Sequence, residues 1–230
     1  MKIHEYQAKE LLKGYDIPVQ DGVTIEDMTQ AEAAIDQVAK EHDAEQFIIK
    51  AQVHAGGRGK GGGVKFSPDR ASALESIQQI LGMTLVTHQT GAEGRLVKKG
   101  MVAAALDNKQ EFYAAITLDR YRGMDVFMVS SEGGMEIEQL AVERPEALAK
   151  IPVDALEGVT PAKAAEIADA AGFAADIRDQ IIDILQKLWV VFTAEDATLV
   201  ETPQAAAPEA PATEAEAPIQ GDDDEGEPHA

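Results

Sequence analysis

Phe47–Phe66 reads FIIKAQVHAGGRGKGGGVKF: a short apolar run, a lysine, then a loop holding six glycines and two further cations, Arg58 and Lys60. Glycine reaches positive φ at no steric cost and lets backbone approach a ligand closely. Successive N–H groups in such a loop form a concavity that receives anions. Lys50 ends the apolar run, so it leaves a strand pointing towards the loop. Three cations around flexible backbone suit a polyphosphate. The same composition also serves a mobile hairpin connection with solvated charges, and the residues alone leave both open. Two familiar phosphate templates do not apply: there is no Gly-Lys-Ser/Thr ending, and the glycines do not introduce a helix as in a dinucleotide fingerprint.

Outward from this loop, the chain alternates helices and strands. Glu5–Lys13 reads as a short helix with Tyr6, Leu11 and Leu12 on its apolar side, and Thr29–His42 as a second with Ala34, Ile35 and Val38 in step. Phe47–Val53 is a strand, the glycine loop turns the chain, and Gly63–Phe66 returns. A helix follows from Pro68, the proline at its first position, to about Leu81. Leu96–Leu106, Glu111–Leu118 and Asp125–Ser130 are rich in Val, Ile, Leu and Met and read as antiparallel strands, with turns at Asp107–Asn108 and Arg120–Gly123. Glu136–Leu140, Ala162–Ala171 and Ala175–Phe192 have helical period, and Ala197–Glu201 is a last strand. Trp189, the only tryptophan, falls on a helix face and reads as a packing residue.

The end of the chain differs in kind. Residues 202–230 carry five of the ten prolines, eight acids and no Lys or Arg. With no apolar period, such a segment buries too little to offset ordering entropy, so a disordered acidic tail is expected over 202–230. Those eight acids leave 33 against 20 bases for residues 1–201, a net charge of −13 within the −21 of the whole chain. An acidic domain argues against nucleic-acid binding, which rests on a basic footprint. Cysteine is absent, so disulfide and thiolate chemistry are excluded. No apolar stretch approaches the length of a membrane span and Met1 opens no charged-then-apolar leader, so a soluble, cytoplasmic protein is the expectation.

Met1–Leu12 (MKIHEYQAKELL) and KAQVHAGGRGKGGGVKF together resemble the N-terminal half of the β subunit of succinyl-CoA synthetase, the ADP- or GDP-forming succinate–CoA ligase. Gly82–Gln89 (GMTLVTHQ), Glu111–Arg120 (EFYAAITLDR) and Ser130–Ala141 (SSEGGMEIEQLA) extend the match in the family's order to about Glu201. The resemblance implies an α+β domain of the ATP-grasp fold over residues 1–201, two lobes around a nucleotide cleft, with the family's C-terminal CoA-ligase domain absent. It implies ATP or GTP and Mg²⁺ as cofactors, and succinate, CoA and an α subunit as partners. The family reaction is nucleotide-dependent, reversible formation of succinyl-CoA in the citric acid cycle, through a phosphohistidine on that α subunit.

Carried over by position, the resemblance assigns nucleotide phosphates to Lys50, nucleotide binding to Gly57, Arg58 and Gly59, the ribose or phosphate side to Glu111, and the reacting phosphoryl group to Glu201. Gln20 lies where GTP-using members recognise the base, although a turn glutamine after Ile17-Pro18 explains it equally. His54 reads as structural, being mostly neutral at an ordinary imidazole pKa. Two departures stand out. Val102 is followed by Ala103-Ala104-Ala105 where relatives carry one or two glutamates beside the base. Glu201 is followed by Thr202-Pro203, so the metal-binding asparagine and later aspartate of the family have no counterpart and no metal ligand is assigned. A non-catalytic nucleotide-binding or subunit-interaction module is the alternative.

Overall fold

A computed structural model describes residues 2–106, 111–133 and 137–202. The acidic segment from 203 onward, the turn expected at Asp107–Asn108 and the expected helix start at Glu136 lie outside the described residues. Within them the chain builds two lobes, each a four-stranded antiparallel sheet with its own apolar core.

The chain opens with helix α1 (Glu5–Lys13), and the first lobe then contains β1 (Gly22–Ile25), α2 (Ala31–His42), β2 (Phe47–Ala51), β3 (Val64–Ser67), α3 (Arg70–Ile80), β4 (Thr84–Leu85), β5 (Arg95–Leu96) and β6 (Gly100–Ala104). Its sheet runs β1-β6-β2-β3, with β4 and β5 forming a separate pair. Phe47, Ile49 and Ala51 on β2 join Val102 and Ala104 on β6 in one buried cluster with Ile35 and Val38 of α2 and Ile77 and Ile80 of α3. Since strand side chains alternate faces, Ile48 and Lys50 stand on the opposite side. There Lys50 is in register with Met101 and Ile48 with Ala103.

β6 corrects an expectation. The strand read over Leu96–Leu106 does not pair with the segment after Glu111; it inserts between β1 and β2. All five of its residues are buried, which requires neighbours on both edges and both faces, and only the first sheet supplies them. Strand β1 and a later strand, Ala149–Val153, are missing from the sequence reading because each is an edge strand, GVTI and AKIPV, too short for its alternation to stand out. Pro152 sits in the latter, as prolines in sheets do on edges.

Helix α3 begins two residues later than expected. Ser67 belongs to β3, fully buried with its hydroxyl 2.9 Å from that of Ser76, and is unavailable as a cap. Asp69 caps instead, accepting from Ser72 N at 2.8 Å, and Pro68 falls just outside the helix rather than at its first turn. Asp69→Ala is expected to lower the unfolding free energy by about 1 kcal/mol, read as a shifted urea midpoint at unchanged slope. An unshifted midpoint would deny the cap any weight.

The second lobe contains β7 (Tyr113–Asp119), β8 (Met124–Ser130), α4 (Ile137–Glu143), β9 (Ala149–Val153), α5 (Pro161–Ala170), α6 (Arg178–Ala194) and β10 (Leu199–Glu201), its sheet running β10-β7-β8-β9. Ile116, Phe127 and Val129 share one face with Ile167 of α5 and Leu185 and Leu188 of α6. Tyr113 and Ala115 face the other way, near Ile137 and Ala141 of α4. Trp189 is 8% exposed and stacks on Phe192 at 5.8 Å, a packing residue as expected. Thr202, assigned to the tail from sequence, extends β10: its N–H donates to Ala114 O at 2.9 Å and its hydroxyl accepts from Ala114 N at 3.0 Å.

Helix α1 belongs to both lobes. Leu12, followed by Ile17, enters the second lobe's core beside α6. Its first turn reaches the first lobe, where Tyr6 N donates to Gln52 Oε1 at 3.2 Å.

Candidate functional site

The site forms where the Lys50 face of the first sheet meets α1 and the glycine loop. Lys50 Nζ donates to Gln20 Oε1 at 2.9 Å and lies 3.7 Å from Glu5 Oε1. Gln20 in turn donates to Ala104 O at 2.7 Å, tying the lysine to the end of β6. The Glu5 carboxylate, its side chain 7% exposed, also holds Lys9 Nζ at 3.1 Å and Arg58 Nη1 at 2.6 Å. Arg58 Nη1 donates as well to Ala51 O at 2.8 Å. The guanidinium therefore folds back under the glycine loop and fastens it to the end of β2. One carboxylate thus serves two buried cations, Lys9 and Lys50, and the half-buried Arg58.

The loop is a succession of tight turns. Gly61 N donates to Gly57 O, Gly62 N to Gly59 O and Gly63 N to Arg58 O, at 3.1, 3.0 and 2.7 Å. Three of the N–H groups expected to face an anion are therefore occupied within the loop. Gly57 has φ of 68°, and a Cβ at Gly61 would fall 2.7 Å from Val86 O, so side chains are excluded at both. Gly57 and Gly61 line a cleft of about 340 Å³ with Lys60, Val86, Thr87 and His88.

Electrostatics follow from the one-to-three pairing. Burial pushes the Glu5 carboxyl up, but Arg58, Lys50 and Lys9 together hold it down at about 2. Lys50 is lowered to about 8, mainly by burial and further by Lys9 and Arg58, with Glu5 pulling the other way. The two shifts act oppositely on folding. Glu5 stabilises the fold fully above its ordinary value of 4.5, and that contribution, about 3 kcal/mol, is lost as pH falls towards 2. Lys50 carries a penalty of similar size that is complete below about 8 and lifts as pH rises towards 10.5. Urea unfolding of the wild type is thus expected to weaken between pH 4.5 and 2 more steeply than that of Glu5→Gln. Parallel acid limbs for the two proteins would refute the pairing.

Glu111 lies two residues before β7, on the connection between the lobes. Neither of its buried carboxylate oxygens has a hydrogen-bond partner among the described residues. Burial raises its pKa, and Lys50 is the cation that opposes the rise. A Cβ at Gly133 would come within 2.5 Å of the Glu111 backbone, so Gly133 is what allows this close approach. Glu201 ends β10 opposite Ala115, and Thr202 pairs with Ala114. It therefore stands towards the start of β7, the end of the second sheet from which the connection to Glu111 leaves. The structure gathers Lys50 and Arg58 around Glu5, sets Glu111 within electrostatic reach of Lys50, and places Gly57 and Gly59 at the turns above. Glu201 is carried separately, by the other sheet.

His54 stacks on His4 with ring centroids 3.8 Å apart, a packing arrangement. Glu5, Lys9 and Gln52 were missed in the sequence. Glu5 and Lys9 stand four apart on a short helix, a spacing that reads as an ordinary surface ion pair. Only the docking of α1 shows that they are buried. Among the described residues no three His, Cys, Asp or Glu converge to hold a metal ion, and no helix is long and apolar enough to cross a membrane. The described donors therefore do not make a Mg²⁺ site by themselves.

Residues 2–204 match the family described as ATP-grasp domain. The chain belongs to this family. Over 201 residues this ATP-grasp chain is 45% identical to the succinate–CoA ligase [ADP-forming] subunit beta of Salinibacter ruber and 43% to that of Chlorobium luteolum. The corresponding subunit of Bordetella avium is 42% identical. The matches cover 87% of this chain and 51% of each of those relatives, so the chain spans about half their length. Among solved structures, ATP citrate lyase from Methanothrix soehngenii, in complex with citrate and coenzyme A, superposes with a TM-score of 0.65 at 22% identity. That superposition covers 86% of this chain and 45% of the lyase. The dinucleotide-forming acetyl-coenzyme A synthetase 1 of Ca. Korarchaeum cryptofilum gives 0.64 at 14% identity, covering 86% and 84%. The ATP-grasp fold expected from sequence is thereby shown.

Proposed function

We propose that this chain is the nucleotide-binding part of a succinate–CoA ligase β subunit, taking ATP or GTP in the cleft between its lobes. The observation that carries the reading is the charge excess at Lys50. Lys9, Lys50 and Arg58 share one carboxylate, Glu5, and Lys50 is buried deeply enough to be driven towards neutrality. A polyphosphate beside it supplies the missing negative charge and favours the ammonium form. Lys50 is the phosphate contact in this reading, and Gly57 and Gly59 shape the loop over it. Glu111, its carboxylate buried without a partner, accepts from nucleotide hydroxyls. Glu201 faces the reacting phosphoryl group.

Arg58 takes a different part from the one its position in the resemblance suggests. With its guanidinium on Glu5 and Ala51 O, it supports the nucleotide loop from beneath. Phosphoryl transfer relies on positioning and on neutralising charge. Lys50 contributes to both, and Mg²⁺ does not gain a full set of ligands from the described residues. In the complete assembly the partner is an α subunit carrying the phosphorylated histidine, with succinate and CoA as the other substrates, in the cytoplasm.

The test is calorimetric titration of the full chain with ATP and GTP, with and without Mg²⁺. Saturable binding of either nucleotide supports the reading, and a folded chain that takes up neither excludes it. A second reading, a non-catalytic nucleotide-binding or subunit-interaction module, is favoured by Thr202-Pro203 standing where the resemblance places a metal-binding asparagine. Ligase turnover on addition of a relative's α subunit would remove it.

A further inference from the structure

Lys50 and Arg58 are organised by a residue that arrives from outside their lobe. Glu5 lies 2.6 Å from Arg58 and 3.7 Å from Lys50 through different carboxylate oxygens, and Gln52 Nε2 approaches it at 3.5 Å. The helix that carries it is rooted elsewhere. Leu12 packs in the second lobe's core. Just beyond α1, the Tyr15 hydroxyl donates to Glu195 at 2.5 Å, and Lys187 Nζ donates to Asp16 O at 3.0 Å. Helix α1 is a strut with one end in each lobe.

We infer that Glu5 is a positioning residue for the nucleotide phosphates: anchored through α1 in the second lobe, its carboxylate fixes the Lys50 ammonium and the Arg58 guanidinium of the first. The inference rests on the nucleotide reading above. Glu5 touches no ligand in this account; it acts by keeping Lys50 charged and by closing the Arg58 clamp under the glycine loop. The charged and titratable groups around the pair are Lys9 from α1, Arg58 from the loop and Glu111 from the connection before β7. His4 lies beside Arg58 and stacks on His54. Among the groups named, the only other anion is Glu111, and Glu5 is the one in direct contact with both cations.

Removing that charge leaves Lys50 among like charges in a buried place. The full chain, its lysines labelled at Cε, is titrated by NMR, and its ATP affinity is measured by calorimetry from about pH 6 to about pH 9 for the wild type, Glu5→Gln and Glu5→Asp. Glu5→Gln is expected to lower the Lys50 midpoint below its value of about 8, by about one unit or more. It is expected to weaken ATP binding about 10-fold near pH 8 and far less near pH 6, where the ammonium is protonated again. Glu5→Asp keeps the charge and is expected to restore most of the affinity.

A Glu5→Gln protein with wild-type affinity and midpoint overturns the inference. So does an affinity loss equal at every pH, which general loosening of the fold would give. If the wild type binds no ATP but the midpoint still falls in Glu5→Gln, the nucleotide reading alone is lost and the hold of Glu5 on Lys50 stands. Should Glu5→Gln fail to melt cooperatively, Glu5→Gln/Lys9→Met, which removes a surplus cation with the carboxylate, takes its place under the same criteria.

Discussion

Lys50→Ala is expected to weaken ATP binding by about 10- to 100-fold while the chain stays folded. The size follows from what a charged donor contributes to a phosphate, about 1.5–3 kcal/mol per charge-assisted hydrogen bond. Gln20 already holds the ammonium at 2.9 Å and is itself fixed on Ala104 O, so little side-chain freedom remains to be lost when a ligand arrives. The fold survives for an electrostatic reason. Lys50 is one of three cations on Glu5, and its removal relieves both its own burial and its repulsion from Lys9 and Arg58. Glu5 keeps Arg58 at 2.6 Å and Lys9 at 3.1 Å. Calorimetry beside a thermal melt separates the two effects. An unchanged affinity with an unchanged melt would remove Lys50 from the nucleotide site, and a collapsed melt would make it a structural residue.

The largest expected loss of stability is at Phe127. Its ring is fully buried, opposite Ile116 on β7, and shares the second lobe's core with Ile167, Leu185 and Leu188. Phe127→Ala removes a ring from packing that relaxes only partly, at about 3–5 kcal/mol. For a domain of this size that corresponds to a fall in melting temperature of roughly 6–20 °C. Phe66 is the matched control: it lies on edge strand β3, 38% exposed, and Phe66→Ala is expected to change stability by less than about 1 kcal/mol. Denaturant unfolding of the pair decides the matter, and equal midpoints for the two variants would contradict the assignment of the core.

Much of this was legible in the residues. The run Phe47–Ile49 ending in Lys50 became a fully buried central strand because an unbroken apolar run can serve only there. The boundaries of α1 were readable from Gly14 and Pro18, and α5, expected over Ala162–Ala171 from its period, lies one residue earlier at Pro161–Ala170 because Thr160 caps it and Pro161 opens it. What escaped was long-range. Nothing local to GMVAA distinguishes a strand that joins its sequence neighbour from one that inserts between β1 and β2; the choice lies in which faces must be covered. Arg58 showed the same limit at the site. Glycine spacing predicts a loop that approaches an anion, but the guanidinium's actual partner, Glu5, is 53 positions away on a helix that looks solvent-facing when read alone. Gln20 was noticed for its position, while its bond to Lys50 depends on β1 lying against β6.

The strut also constrains the order of assembly during synthesis. Tyr15 and Glu195 are 180 residues apart in the chain, and Asp16 and Lys187 are 171 apart. Strand β1 finds its partner β6 only some 80 residues after it emerges. Contacts of such separation are slow to form, and the ribosome releases the two partners at different times. The opening helix therefore leaves the exit tunnel long before α6 exists to receive it, its buried lysine and glutamate still in water. Lys50 and Arg58 reach their final arrangement around Glu5 only after the second lobe has closed on Leu12, so a nascent chain halted before α6 would carry the whole glycine loop and yet leave its cations unorganised.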